Sequence, residues 1–261
     1  MEAFTNKASI NYTMNMFHRW QLKHNTFLYN LKSFDHMLLK KLGLLKPLIK
    51  ILNPTTQGIA IQRANVYTYK HKHYLLSTAQ MHVPQTFGDQ QHIGGATLYD
   101  DIHVFITHPA QAFFDDNSRN FSPSYWVGNG IMPFAFQEKN KALYAYDLRV
   151  RSGLFEKKRA LFTHIYFDTM RFDQVIEGSH FLIGVKEQSL IGIRSLHPLS
   201  KHDDHEYRQF GKMTAWAITV NSLEDITLAA FIDHIKSNPI IQSRQQVRFN
   251  GLMINMKKKK C

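Results

Sequence analysis

The sequence predicts a mainly β fold, an antiparallel β-sandwich with a short helical N-terminal segment and one late covering helix. Three observations predict it. Aromatics make up 13% of the 261 residues and stand among many Thr, Ile and Val, the side chains that suit a pleated, half-buried surface. From Gln57 onward short runs alternate apolar with polar residues, the period-two pattern of a strand. Turn-forming residues then interrupt those runs at short intervals, as a sandwich or strongly bent sheet requires.

Residues 11–52 read differently. Phe34, Met37, Leu38, Leu42 and Leu45 fall near helical spacing, with Lys40, Lys41, Lys46 and Lys50 interleaved. Gly43 and Pro47 interrupt the pattern, so one or two short helices are expected, ending at Asn53-Pro54. Such a basic amphipathic segment packs on a neighbouring domain or lies on an anionic membrane. Runs 66–69 and 74–78 form a hairpin across His71, Lys72 and His73. Further strands are expected at 96–99, 103–107, 142–147, 163–167, 180–186, 189–194, 214–220 and 246–250, with turns at Asp100-Asp101, Lys139-Asn140, Glu187-Gln188 and Gly251. Ser222 followed by Asp225 resembles a capping box. Leu228, Phe231, Ile232 and Ile235 then form one apolar face, and Pro239 closes the covering helix. The resulting division is 1–56 helical, 57–256 sandwich and 257–261 a lysine-rich tail.

The net charge of +12 points to an anionic neighbour or to a solubilising field. The single cysteine, Cys261, excludes an internal disulfide and a thiolate metal site within one chain. No charged-then-apolar leader opens the sequence and no apolar run approaches ~20 residues. The expectation is a cytoplasmic protein without a transmembrane segment.

The chemistry concentrates in residues 77–133, where β-type runs alternate with loops rich in Gln, His, Tyr, Trp, Asn and Gly. Aromatic faces, neutral amides and imidazoles suit a polar, hydroxylated ligand. His92, His108 and His164 sit beside strand edges next to aromatic or amide groups, and Tyr125-Trp126 lies in a loop rich in Pro, Gly and Asn. Those aromatics either support a sugar ring or pin a long loop to the sandwich. Neither His71 with His73 nor the His202–His205 run has a recognised metal-ligand spacing, so no metal and no cofactor is expected. P-loop, dinucleotide and nucleophile-elbow motifs are absent from the sequence. The aromatic loop carries Asp115 and Asp116 against Arg119, which argues against a nucleic-acid groove.

Several linked motifs resemble the heparinase II/III-like polysaccharide lyases, in which an (α/α) toroid precedes an antiparallel β-sandwich. They are Val66 to Tyr69, Tyr74 to Gln80, Gln90-Gln91-His92-Ile93 with Gly94 to Leu98, Val104 to Pro109, Tyr125 to Gly130 and Phe162 to Phe167. The resemblance covers about residues 57–235, the sandwich alone. It implies an acidic, uronate-containing polysaccharide or oligosaccharide as ligand and, if the chain is catalytic, β-elimination. The carboxylate is then neutralised and a Tyr or His serves as base. The implied catalytic candidates are His92, Tyr125, His164 and Tyr166, with Gln91, Trp126 and Asn129 binding substrate. About fifty residues precede the sandwich, too few for a toroid. The expectation is therefore a truncated member whose 1–56 segment is a toroid remnant, partnered by a separately encoded toroid or serving as a non-catalytic carbohydrate-binding or structural module. Gly94-Gly95 also departs from the family, which places a bulky residue after the Gln90 to Ile93 motif.

Overall fold

Strand β2 (Tyr74–Gln80) buries Tyr74, Leu76 and Thr78 and leaves the residues between them half-exposed, so one face of its sheet turns inward. This alternation recurs through a computed structural model that describes residues 38–44, 47, 64–80, 84–85, 92–99, 102–109, 123–126, 130–149 and 160–256. The chain divides into two compact units, residues 1–62 with 153–155 and residues 63–152 with 156–261. In the first, residues 38–41 form one helical turn. Gly43 ends it at φ +69, with Leu44 N–H bonded to Leu39 O (3.0 Å) and Gly43 N–H to Lys40 O (3.1 Å), the two bonds of a Schellman cap. The rest of the helical expectation for 1–56, and the tail at 257–261, lie outside the described residues.

The second unit is an antiparallel β-sandwich. One layer is a seven-stranded sheet of β1 (Asn65–Lys70), β2, β3 (Gly94–Leu98), β4 (Ile102–Thr107), β7 (Phe162–Tyr166), β12 (Glu206–Phe210) and β11 (Leu199–Lys201), in that spatial order. The other contains β5 (Phe134–Glu138), β6 (Lys141–Asp147), β13 (Met213–Ser222), β10 (Ser189–Ser195), β9 (Phe181–Lys186) and β8 (Gln174–Gly178). The expected hairpin forms, with Tyr69 opposite Leu76 in β1 and β2. At the expected turns Lys139 and Glu187 take φ of +49 and +48, the positive-φ conformation by which two-residue hairpin turns match the right-handed twist of their strands.

The core between the layers joins Leu76, Leu98, Val104 and Ile165 to Tyr144, Ile191, Ile193, Trp216 and Ile218. Polar side chains stitch it. Trp216 Nε1 donates to Thr163 Oγ1 (2.7 Å). Gln137 of β5 donates to Leu76 O (2.9 Å), and Gln209 of β12 donates to Ala215 O (2.9 Å). Each glutamine is buried and spends its amide on the backbone of the facing sheet. That pairing offsets the cost of burying the amide N–H groups, while Gln137 Oε1 has no hydrogen-bond partner among the described residues.

The outer face of the six-stranded sheet has two covers. A three-stranded sheet, β14 (Ile241–Ser243), β15 (Gln246–Phe249) and β16 (Leu252–Asn255), packs Val247, Phe249, Leu252 and Ile254 on Leu143, Ala145, Ala215 and Ala217. Beside it, the covering helix (Leu228–Ser237) buries Phe231 and Ile235 against Ile183, Val185 and Leu190. The helix cap differs from the sequence expectation. Thr227, not Ser222, is the N-cap, its side chain accepting from Ala230 N–H (3.3 Å). Ser222 is still the last residue of β13, and its Oγ instead accepts from Glu224 N–H in the turn that leaves the strand (3.2 Å).

Gly94 sits close both to its neighbouring strand and to the facing layer. A Cβ there would lie 2.5 Å from the Tyr144 hydroxyl and 2.6 Å from Ser77 O. A bulky residue at this position has no room. Gly94→Val is expected to destabilise the sandwich by about 1–3 kcal/mol, the usual cost of overpacking. Thermal unfolding followed by circular dichroism reads this as a Tm lowered by several degrees.

Candidate functional site

Side chains on a strand alternate between faces. Ile106, Ile165 and Tyr207 therefore point into the core, and their neighbours on β4, β7 and β12 point outward. The register sets Phe105 opposite Tyr166 and Thr107 opposite His164, then Glu206 opposite Tyr166 and Arg208 opposite His164. A single helical turn, α1 (Pro123–Trp126), lays Tyr125 and Trp126 over this outer face; the covering helix is α2.

Glu206 is the hub. Its Oε1 accepts from Arg208 Nε (2.5 Å), the Tyr125 hydroxyl (2.6 Å) and His164 Nδ1 (3.1 Å). Arg208 also donates to the Tyr125 oxygen (2.6 Å). The carboxylate is 1% exposed. Burial by itself raises its pKa, but the bonds from His164, Arg208 and Tyr125 outweigh that and bring it down to about 2. His164 is fully buried, and burial holds its imidazole below the ordinary value despite the Glu206 bond. In the neutral tautomer Nδ1–H donates to Glu206 and Nε2 accepts from the Thr107 hydroxyl (2.7 Å), so both ring nitrogens are satisfied. Burial first, and then the Glu206 bond, push the Tyr125 phenol far above its ordinary value.

Around this hub the aromatic rings form a continuous patch. Trp126 stacks on His164 with centroids 4.2 Å apart, and Tyr125 meets the same imidazole edge-on at 4.7 Å. Trp126 also contacts Phe105 and Tyr166, which stack on each other at 5.2 Å. His92 reaches the patch through Phe105 (4.9 Å), and His205 extends it over Tyr166 (6.1 Å). Four of the sequence candidates thus come together directly: Tyr125, Trp126, His164 and Tyr166. His92 stands at the rim. It is exposed, yet partial burial lowers its pKa. Gln91 and Asn129 lie outside the described residues.

Glu206, Arg208 and Thr107 were not singled out from the sequence, although they complete the network. Glu206 and Arg208 lie two residues apart, the spacing that puts them on one face of a strand. No strand was expected there, because the inward position Gln209 is polar.

The histidine clusters have other uses. Lys72 and His73 approach Glu224 at 2.6 and 3.3 Å, and His71 lies 3.9 Å from Asp225. His205 turns to Asp168 (3.2 Å). His202, Asp203 and Glu206 place ligand atoms within 4.8 Å of one another, the cluster among the described residues able to hold an ion. The Arg208 guanidinium on Glu206 opposes a cation there.

The fold and this face define an antiparallel β-sandwich with an aromatic-capped, charge-linked outer surface. No protein-family model matches the chain, and no curated protein matches it. Among the described residues no helix is long and apolar enough to cross a membrane.

Glu206→Ala leaves Arg208 without its carboxylate and should cost about 3–5 kcal/mol, the range for breaking a buried pair, in urea unfolding. The acid response has a defined sign. A carboxyl held at about 2 when folded and near 4.5 when free contributes stability that is present above the free value and is lost as the pH falls toward 2. His164, also held down by folding, acts in the same direction below its ordinary value of 6.5. Unfolding free energy should therefore fall as the pH is lowered from about neutrality to 2, and Glu206→Gln should flatten the decline between 4.5 and 2.

Proposed function

We propose that this chain is a non-catalytic β-sandwich module that binds acidic, uronate-containing glycan on the outer face of β4, β7 and β12. The carrying observation is the locked state of the Tyr125–Glu206–His164 network. A lyase base must take up a proton near neutrality, whereas the Tyr125 phenol is pushed the opposite way and His164 is sealed beneath Trp126. These side chains hold α1 to the sheet, the loop-pinning role of Tyr125-Trp126.

Binding falls to the groups left at the surface: the imidazoles of His92 and His205, the ring edge of Tyr166, and the half-buried Arg208. The net charge of +12 and the resemblance to heparinase II/III-like lyases support an acidic polymer as ligand. A helical toroid on a separate chain is the partner that this reading implies.

A second reading keeps catalysis, with His92 as base. Its support is that His92 is exposed while its lowered pKa leaves it neutral at pH 7. Affinity electrophoresis in gels containing alginate, chondroitin sulfate or dextran separates the two. The module reading expects retardation by an acidic polymer but not by dextran, a several-fold loss in the Tyr166→Ala, His205→Ala double variant, and no unsaturated uronate in ultraviolet absorbance. Unsaturated product that disappears in His92→Ala would establish the lyase reading instead. Equal retardation by dextran would remove the acidic-glycan assignment.

A further inference from the structure

The two covers on the six-stranded sheet do not meet edge to edge. Between helix α2 and the β15–β16 turn lies a cavity of about 260 Å³, floored by the outer face of β6 and β13. That is just below the range of about 300–1,000 Å³ typical of pockets for drug-sized ligands, so it suits a molecule no larger than a single sugar. The seam has a polar lining where the flanking covers are apolar. Thr219 and Asn221 enter from β13 and Lys141 from β6, while Phe231 and His234 line it from α2.

Asn250, at the tip of the β15–β16 turn, closes the seam. Its Nδ2 lies 2.8 Å from His234 Nε2, and its carbonyl accepts from Lys141 Nζ (3.1 Å). It adopts φ +42, the left-handed conformation that Asn tolerates better than most residues.

The uncommitted groups are donors. Thr219 is 3% exposed, and its Oγ1 has no hydrogen-bond partner among the described residues. A buried hydroxyl left in that state normally marks a missing partner. Asn221 accepts from Ser222 N–H through Oδ1, which leaves its NH2 to donate. Lys141 spends one N–H on Asn250 and has no carboxylate within ion-pair distance among the described residues. The lining contains a cation and no acidic side chain. A ligand rich in acceptors and carrying negative charge complements this set.

We infer that the seam between α2 and the β15–β16 turn is a binding site for a small carboxylate-bearing molecule of sugar-acid size, with Lys141 and Asn221 on the carboxylate and Thr219 on a further oxygen. The site faces away from the seven-stranded sheet and does not depend on glycan binding there.

An amide chemical-shift titration of the full chain with glucuronate, glucose and inorganic phosphate tests it. Glucuronate should produce saturable shifts in β13 and around Asn250, with glucose at least about tenfold weaker, the discrimination expected of a charge-assisted contact. Lys141→Met should weaken glucuronate about tenfold, and Thr219→Val should weaken it less. Asn221→Asp, a change at a half-exposed position that keeps side-chain size, should abolish binding by repulsion even if Lys141→Met folds poorly. Tyr166→Ala should leave the titration unchanged. Absence of shifts in β13, or undiminished affinity in Asn221→Asp, would overturn the site. Phosphate binding as tight as glucuronate would overturn the carboxylate assignment.

Discussion

The outer face of the seven-stranded sheet is organised by one buried carboxylate. Glu206 has three donors converging on a single oxygen, and each comes from a different place: Arg208 from its own strand, His164 from the neighbouring strand and Tyr125 from α1. Removing a charge from water is costly unless its partners replace the lost hydration. The network therefore acts as a constraint as much as an attraction. β7 and β12 must keep their register, and α1 must stay down, for Glu206 to remain ionised. Trp126 then shields the imidazole from above.

That constraint decides what the face can do chemically. Groups that look like acid–base machinery in a sequence become structural once their protons are committed. His164 has both nitrogens satisfied, and the Tyr125 oxygen is shared between a carboxylate and a guanidinium. The exposed imidazoles of the patch are those at its rim, His92 and His205. On the opposite layer the burden differs. The covers over the six-stranded sheet are apolar where they touch it, and the polar residues of β6 and β13 collect in the seam between them.

Legibility varied with the character of the inward-facing residues. Strands β2, β4, β6, β10 and β13 present apolar or hydroxylated side chains to the core, and their positions were readable from alternation. β5 and β12 were not, because their inward positions include Gln137 and Gln209. A buried glutamine reads as a surface residue until the backbone it clamps across the sandwich is known. The loss of β12 from the reading carried Glu206 and Arg208 with it. The α2 face was readable from its spacing, but its cap was not, since Ser222 and Thr227 are both capping residues and only the end of β13 chooses between them.

The sequence by itself determined that the chain is a β-sandwich and that a late amphipathic helix covers it, whereas Tyr125, Trp126, His164 and Tyr166 were candidates that the fold brings into one neighbourhood. Period-two and helical patterns record local burial, and local burial is what selects strands and helices. Only the tertiary structure decided the chemical state of that neighbourhood. Protonation depends on which charges stand within a few ångströms and on how much water is excluded, and both are set by strands distant in sequence. Tyr125 and Glu206 are 81 residues apart, yet their 2.6 Å bond helps keep the phenol protonated and the carboxylate charged.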